Sequence, residues 1–315
     1  MRLALLGTGL ATDLHSKTLR ATAPQVERWY ASRDTARAAR AASRHKGAGA
    51  FDSYDAALAD PAVDAVLIGL PPALHLEWTL RALDAGKHVI VEKPPFLKAE
   101  HVVEVEAAAR SANRQVLVAE NYVYKPLTDL IRQIIERGDL GQVRFIQLNA
   151  LKHQRTGDWR DDPALAGGGA LFEGGIHWIS LLTNLGLTPG RVRAAQPGPA
   201  TPSDRNMLVT IEYAEGAVAS LALSWDLPSL VNGLRVSRIF GTDGTLRFET
   251  NGVAAVLTGR KTRVYTPGLT DLAGYRAMFK DFLTAIERNV PPRYSLALAR
   301  RDLGLIEDAY RSAAR

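Results

Sequence analysis

A lysine and a carboxylate stand side by side at the end of an apolar run, in the tripeptide Glu92-Lys93-Pro94. The run before it, His88-Val89-Ile90-Val91, is rich in β-branched residues and predicts a buried strand. Parallel α/β sheets keep their chemistry at the carboxyl ends of their strands. There, Lys93 could stabilise a developing alkoxide or join a proton relay, with Glu92 positioning it. Taken alone, the tripeptide is more typical of a solvated turn.

A second polar pair follows three consecutive glycines, Gly167-Gly168-Gly169. The glycines allow a cofactor or substrate to approach the backbone closely. If the next segment is α-helical, Glu173 and His177 are four residues apart and share a face. A carboxylate and an imidazole placed in this way can orient each other, which makes His177 a candidate for proton exchange near neutral pH. Without other signals, His177 is more typical of a structural helix histidine.

A strand, a glycine turn and a helix are predicted at the start of the chain, and they would position the cofactor for this chemistry. The apolar run Leu3-Ala4-Leu5-Leu6 precedes Gly7-Thr8-Gly9-Leu10-Ala11 and a segment with helical spacing. Gly7 allows the tight turn and Gly9 allows a pyrophosphate to approach, whose charge the helix N-terminus stabilises. Thr12 replaces the usual third glycine. Because Gly-Thr-Gly is a weak signal, a plain strand-to-helix turn is the alternative.

The next predicted strand indicates which nicotinamide cofactor binds. It ends at Ala31, where an acidic residue would bind the ribose hydroxyls of NAD, but Ser32 and Arg33 follow. A hydroxyl and a guanidinium suit a 2'-phosphate, so the pattern favours NADP over NAD. Arg37 supplies a second contact or stacks on adenine, unless it is a solvated helix residue.

Alternating helices and apolar strands continue to residue 119 and predict a Rossmann domain over residues 1–120. From Val143 onward, strand-like segments joined by short turns predict a mostly antiparallel open sheet. The predicted class is therefore α/β, with a C-terminal α+β domain over residues 121–315. Two closing helices, about residues 272–288 and 296–314, are assigned to that second domain.

Composition excludes several classes of function. The chain has 315 residues, 46% of them hydrophobic and 23% charged, which is typical of a globular protein. The net charge of +6 is spread along the chain without a basic run, so nucleic acid is not an expected partner. No apolar stretch is long enough to span a membrane, so a membrane is not an expected partner either. There is no cysteine, which fits a cytoplasmic protein. The histidines lack metal-ligand spacing, so no metal is expected.

Several motifs occur together in one order: Gly7-Thr8-Gly9, Leu70-Pro71-Pro72 with His75, the segment from Ala85 to Pro94, and Gly167-Gly168-Gly169 leading to His177. They resemble the Gfo/Idh/MocA family of NAD(P)-dependent oxidoreductases, and the match around Lys93 is the most specific. The resemblance implies that Leu70, Pro71 and His75 lie beside the cofactor and that the open sheet forms a homodimer or homotetramer. Glu173 departs from the aspartate usual in the family.

The predicted function is transfer of hydride between a nicotinamide, preferably NADP(H) with NAD(H) as the alternative, and a hydroxyl or carbonyl group. His177 would be the acid or base, Lys93 would stabilise charge, and Glu173 would assist. The predicted cofactor ligands are Gly7, Thr8, Gly9, Leu10, Ala11, Ser32, Arg33, Arg37, Leu70, Pro71, His75, Glu92 and Lys93.

The loop from Lys152 to Arg160 combines hydrogen-bond donors with one flat ring, which suits a polyhydroxylated substrate. The family resemblance implies a sugar, a sugar derivative or a cyclitol. The candidate substrate residues are Tyr122, Lys125, His153, Trp159, Arg160 and His177. A solvated charged loop is the alternative interpretation.

Two other functions of the same fold stay open. One is a glycosidase that retains NAD and cleaves through transient oxidation, which the Ser32-Arg33 pair mildly opposes. The other is a regulator that senses a sugar or nucleotide without turnover, which the presence of both Lys93 and His177 opposes.

Overall fold

The computed structural model describes residues 1–198, 201, 203–228 and 234–314, which form two compact units. The first unit contains Met1–Glu120 and Tyr275–Arg300, and the second contains the rest of the described chain. In the described ranges, no helix is both long enough and apolar enough to cross a membrane.

The first unit is built on parallel strands that read as apolar runs. The strands are β1 (Arg2–Leu6), β2 (Glu27–Ala31), β3 (Gly49–Phe51), β4 (Ala65–Ile68), β5 (His88–Val91) and β6 (Val116–Val118). Their spatial order is β3-β2-β1-β4-β5-β6, and all neighbours pair in parallel. The order reverses between β1 and β4, and ligands of open α/β sheets bind outside the carboxyl ends of the strands at such a reversal.

The second unit is built on an eight-stranded sheet. Its strands are β7 (Val143–Leu151), β8 (Pro189–Ala195), β9 (Asn206–Tyr213), β10 (Val218–Ser224), β11 (Val236–Gly241), β12 (Gly244–Glu249), β13 (Ala255–Gly259) and β14 (Arg263–Tyr265). Their spatial order is β14-β13-β12-β11-β7-β10-β9-β8, antiparallel except for the parallel pair β7 and β10. The predicted α/β class, with a parallel sheet and a mostly antiparallel one, is confirmed.

The helices carry the residues that complete each unit. They are α1 (Leu10–Thr22), α2 (Thr35–His45), α3 (Tyr54–Ala59), α4 (His75–Asp84), α5 (Ala99–Ala112), α6 (Pro126–Glu136), α7 (Pro163–Ala166), α8 (Ile176–Thr183), α9 (Tyr275–Arg288) and α10 (Leu296–Ala313). Single-turn 3₁₀ helices precede α4 at Pro72–Leu74 and α6 at Asn121–Tyr124.

Helix α9 lies in the first unit, although the sequence pattern assigned it to the second domain. Its apolar face explains the difference, because Phe279 and Phe282 are completely buried. The ring of Phe279 meets that of His15 on α1 edge-on, with 5.3 Å between the ring centroids. An amphipathic pattern predicts that a helix has a buried face but does not indicate which partner covers it.

Candidate active site

The turn between β1 and α1 has space beside its second glycine. Gly7 has φ +102°, and a Cβ atom there would lie 2.5 Å from the carbonyl oxygen of Gly69, so the turn requires glycine. A Cβ atom on Gly9 would meet no atom within 4 Å. Gly9 also begins α1 without a side-chain cap. Open space at an uncapped helix N-terminus fits a pyrophosphate, which binds to the backbone N–H groups.

Thr12 stabilises this turn in place of the usual third glycine. Its side chain is completely buried, and its hydroxyl donates to the carbonyl oxygen of Gly7 at 2.9 Å. A Cβ atom on Gly69 would lie 3.2 Å from the Thr12 hydroxyl. The glycine turn is therefore tied to the start of α1 by a hydrogen bond that a glycine could not make.

The end of β2 presents positive charge. Arg33 and Arg37 are exposed, whereas the Asp34 carboxylate caps α2 by accepting the Arg37 backbone N–H at 3.1 Å. Burial raises the pKa of the Tyr54 hydroxyl, and the nearby Arg33 and Arg37 guanidiniums oppose that shift. Two exposed guanidiniums thus lie at the end of β2, and the Asp34 carboxylate between them in sequence is engaged by the helix.

The turn after β5 holds Lys93 through its neighbour Glu92. One oxygen of the Glu92 carboxylate accepts the Lys93 backbone N–H at 3.0 Å, and the other bonds Nε2 of His15. Burial alone would raise the pKa of Glu92, but His15 and Lys93 outweigh it and hold the pKa below its usual range. Glu92 is therefore ionised at neutral pH. The Lys93–Pro94 peptide bond is cis.

His75 joins two loops at this edge of the sheet. Its ring is completely buried, with Nε2 2.8 Å from the carbonyl oxygen of Leu70 and Nδ1 2.9 Å from that of Pro94. Burial lowers its pKa. His75 thus lies between the Leu70-Pro71 loop and the turn after Lys93, and a neutral ring donates its one N–H to one of these carbonyl oxygens. Its predicted contact with the cofactor stays a prediction.

In the second unit, three of the predicted substrate residues form one stack. The His177 and Tyr122 rings lie almost parallel, with centroids 4.3 Å apart and an interplanar angle of 13°. The Lys125 ammonium lies 4.4 Å from the Tyr122 centroid, at a distance typical of a cation–π contact. Trp178 meets Tyr122 edge-on at 4.8 Å. The His177 ring is thus held by a flat aromatic neighbour, and it is half-buried.

Glu173 contacts a residue of the loop predicted to bind substrate. The segment Leu171–Gly175 is a π-helical turn and α8 begins only at Ile176, so Glu173 and His177 do not lie on one regular α-helix. The Arg160 Nε atom lies 3.4 Å from Oε1 of Glu173, and its guanidinium packs on the Trp159 ring at 4.6 Å. Arg160 therefore contacts both Trp159 and Glu173. A π-turn keeps the helix but shifts its hydrogen-bond ladder by one residue, which no pattern of apolar residues reveals.

His153 is exposed and forms an isolated antiparallel bridge with Asp226. Of the predicted substrate residues, Tyr122 thus contacts both Lys125 and His177, and Trp159 contacts Arg160. Across the described ranges, no group of three His, Cys, Asp or Glu side chains is arranged to hold a metal ion.

The glycine-rich turn is held by two residues that the sequence patterns did not indicate. Asp204 accepts the Leu171 backbone N–H at 2.8 Å through one carboxylate oxygen and the Tyr310 hydroxyl at 2.5 Å through the other. The Asp204 backbone carbonyl also accepts the Ala170 N–H at 2.7 Å. A Cβ atom on Gly169 would lie 2.2 Å from that carbonyl oxygen. Gly169 is required because the backbone near Asp204 closes on it.

Comparison with known proteins identifies the family. Residues 1–120 match the model of the oxidoreductase family with an NAD-binding Rossmann fold, and residues 128–247 match the Gfo/Idh/MocA C-terminal domain. The chain belongs to this family, as its motifs predicted. It is therefore an NAD(P)-dependent oxidoreductase.

Named relatives are similar over different shares of the chain. The D-xylose 1-dehydrogenase (NADP(+)) 2 of Haloferax volcanii is 32% identical over 292 residues, which cover 90% of this chain and 88% of the relative. The dTDP-3,4-didehydro-2,6-dideoxy-alpha-D-glucose 3-reductase of Streptomyces violaceoruber is 36% identical over 177 residues, which cover 56% of this chain and 51% of the relative. GenD2 from gentamicin A biosynthesis, solved with NAD, has a TM-score of 0.85 at 26% identity, covering 100% of this chain and 94% of that one.

Proposed function

We propose that the protein is an NADP-preferring dehydrogenase or reductase that acts on a hydroxyl or carbonyl group of a sugar, a sugar derivative or a cyclitol. The observation that carries the cofactor preference is the charge at the end of β2. Arg33 and Arg37 are both exposed there, whereas the Asp34 carboxylate accepts the Arg37 backbone N–H at the start of α2. The Haloferax volcanii relative, whose name specifies NADP(+), supports the same preference.

The roles of the residues follow from their chemistry. The Gly7–Gly9 turn and the start of α1 would hold the pyrophosphate, and Ser32, Arg33 and Arg37 the 2'-phosphate. Bound NADP(H) supplies the hydride chemistry. Lys93 stabilises negative charge on the reacting oxygen, and His177 gives or takes the proton. Glu173 anchors Arg160, whose donors bind substrate.

The second unit supports a polyhydroxylated substrate. The Tyr122 and Trp159 rings offer flat apolar surfaces, while Lys125 and Arg160 lie over those same rings and bring donors beside them. Sugars present both apolar C–H faces and hydroxyl groups, so such pairs match them. The names of the two curated relatives, a xylose dehydrogenase and a reductase of a nucleotide-linked deoxysugar, support this class of substrate.

A cofactor experiment tests the preference directly. NADPH is expected to bind more tightly than NADH, measured by the fluorescence of the reduced nicotinamide on titration. Arg33→Ala should weaken NADPH about ten- to a hundredfold, since a charged hydrogen bond contributes about 1.5–3 kcal/mol, and should leave NADH nearly unchanged. Arg40→Ala on the adjoining helix α2 is the matched control. Equal affinities in the unmutated protein would refute the preference.

A substrate screen tests the reaction. NADPH oxidation and NADP⁺ reduction would be followed with keto-sugars, sugar alcohols and cyclitols. Lys93→Ala should then slow turnover by at least about a hundredfold and leave NADPH affinity largely intact. An unchanged rate in that variant would refute the assigned site. A cofactor that copurifies and shows no net redox change would point instead to the glycosidase-type reaction.

We also propose that the protein works in the cytoplasm, in keeping with its lack of cysteine.

We further propose that the protein is a homo-oligomer, assembled through the open face of the second sheet. Apolar side chains are exposed on adjacent strands of this sheet: Phe145 is 59% exposed, its pairing partner Val218 37%, and Val236 52%. Phe145→Glu should lower the mass measured by light scattering, with Val264→Glu on the edge strand as a control. A monomeric unmutated protein would refute this assembly.

A further inference from the structure

A histidine that the sequence patterns did not single out contacts the carboxylate beside Lys93. His15 lies on α1 and is completely buried. Its Nε2 atom bonds Oε1 of Glu92, and Oε2 of Glu92 accepts the Lys93 backbone N–H at 3.0 Å. Both oxygens of the carboxylate are therefore engaged. One is held by the helix that follows the glycine turn, and the other holds the residue that carries the ammonium group.

The position of the imidazole proton follows from the partners of the two ring nitrogens. Nδ1 of His15 is buried and has no hydrogen-bond partner among the described residues. An ionised carboxylate only accepts hydrogen bonds, so the proton of a neutral ring lies on Nε2 and is donated to Glu92. The rings of Tyr275 and Phe279 lie edge-on to the imidazole, at 5.7 and 5.3 Å. They hold the ring in one orientation.

The bond to Glu92 is not the main anchor of α1. The Thr12 hydroxyl donates to Gly7, and the Tyr30 hydroxyl donates to Ser16 at 2.9 Å. These bonds fix the same part of the helix to β1 and β2. The effect expected of His15 is therefore local. Its hydrogen bond orients the Glu92 carboxylate, and that carboxylate accepts the Lys93 backbone N–H.

We propose that His15 is a positioning residue for Lys93: it fixes the Glu92 carboxylate, which holds the Lys93 backbone so that the ammonium meets the reacting oxygen in one orientation. This inference rests on the proposed oxidoreductase function. Loss of the His15 hydrogen bond lowers kcat, whereas the affinity for NADPH and the KM for substrate stay nearly constant, because the His15 side chain is completely buried.

Two amide substitutions separate this role from general packing. In His15→Gln the side-chain nitrogen can reach the place of Nε2, whereas in His15→Asn it lies near the place of Nδ1. His15→Asn should lower kcat about ten- to a hundredfold, and His15→Gln should stay within about threefold of the unmutated protein. NADPH titration should change less than about twofold in both. Equal losses in the two variants, or no loss in either, would overturn the proposal.

A second measurement does not depend on turnover. Hydrogen exchange of the Lys93 amide, followed by NMR on protein labelled with [¹⁵N]lysine, should be faster in His15→Asn than in His15→Gln and the unmutated protein. If the unmutated protein turns over no substrate, the proposed function fails while this exchange still reports on His15. If His15→Asn does not fold, Glu92→Gln takes its place and should also speed exchange and lower kcat. Unchanged Lys93 exchange would refute the positioning role.

Discussion

Each unit places a carboxylate beside a candidate catalytic segment, half-buried Glu92 in the first and buried Asp204 in the second, but the surroundings shift the two pKa values in opposite directions. In the first unit, Glu92 bonds His15 and lies beside Lys93, so its pKa is held below the usual range. In the second unit, burial raises the pKa of Asp204, although Tyr310 and backbone N–H groups oppose the shift. The first carboxylate keeps a charge next to a cation. The second serves as a hydrogen-bond acceptor that shapes a turn, with only neutral donors.

One glycine of each unit, Gly9 in the first and Gly169 in the second, differs in how much space surrounds it. Gly9 has no atom within 4 Å of its Cβ position, whereas Gly169 has three atoms of Asp204 within 2.4 Å. A glycine in a family motif therefore has one of two roles. It either leaves room for a ligand or admits another part of the same backbone, and only the structure shows which.

Replacing the two glycines by alanine should have the largest effects and tests this contrast directly. Gly169→Ala is expected to lower the free energy of unfolding by about 3 kcal/mol, because the new methyl group overlaps backbone atoms of Asp204 that cannot move alone. Gly9→Ala should change stability by less than about 0.5 kcal/mol. Urea unfolding followed by circular dichroism measures both.

The same pair should show the reverse order in cofactor binding. Gly9→Ala should weaken NADPH binding at least about tenfold, because the methyl group occupies space proposed for the pyrophosphate. Gly169→Ala, measured in conditions where it is folded, should bind NADPH normally. If Gly9→Ala binds NADPH as well as the unmutated protein, the pyrophosphate does not lie at this turn.

Removing the Tyr310 hydroxyl tests how far the second unit depends on Asp204. Tyr310→Phe should lower the free energy of unfolding by about 2 kcal/mol, since it deprives a buried carboxylate of a donor. The Phe172 N–H, 3.2 Å from the hydroxyl, also loses its acceptor. Tyr213→Phe is the control, because that buried hydroxyl makes one bond, 3.1 Å to the Leu182 carbonyl. It should lose about 1 kcal/mol, and equal losses would argue against a special role of Asp204.

Much of the fold could be predicted from the sequence because its information is local. Runs such as Val89-Ile90-Val91 form buried parallel strands, as their β-branched residues predicted. The strands β3, β8, β13 and β14 were not predicted; β3 and β14 have only three residues each and pair at one side. Short edge strands lack a long enough apolar pattern to be recognised.

The partners of the site residues were harder to predict because they are far apart in sequence. His15 and Glu92 are 77 residues apart, and Asp204 and Tyr310 are 106 apart. One local signal for His15 was present. It lies among Thr12, Ser16 and Leu19 on the buried face of α1, and a histidine on such a face requires a polar partner. No comparable pattern marks Asp204, which lies in a loop.

The opposite pKa shifts predict opposite pH dependences of stability, a smaller effect than the losses above. The pKa of Glu92 is lowered, so its stabilisation is present above the unfolded pKa of about 4.3 and is lost as pH falls through the folded value. The pKa of Asp204 is raised, so its stabilisation is present below about 3.9 and is lost as pH rises through the folded value. These signs follow from which state binds the proton more tightly.

Uncharged variants make this difference measurable. As pH falls from 7 towards about 3.5, the unmutated protein should lose stability relative to Glu92→Gln. Over the same range, the unmutated protein should gain stability relative to Asp204→Asn. Thermal unfolding across that range measures both stability differences against the same reference. If both stability differences change in the same direction with pH, the pKa values of the two carboxylates are not shifted in opposite directions.

Glu173 should have the smallest effect on stability, and it shows whether the second unit also has a carboxylate that works through charge. Its ion pair with Arg160 lies at 3.4 Å, and the two side chains are 10% and 22% exposed. Glu173→Gln should lower the free energy of unfolding by less than about 1 kcal/mol. Because Arg160 would keep only its ion pair with Asp158, KM should rise about threefold while kcat stays within about twofold. Arg132→Gln, which breaks the more exposed ion pairs of Arg132 with Asp129 and Glu136 on α6, is the control. A fall in kcat of more than about tenfold would instead support the catalytic role predicted from the sequence, and would make Glu173 the counterpart of Glu92.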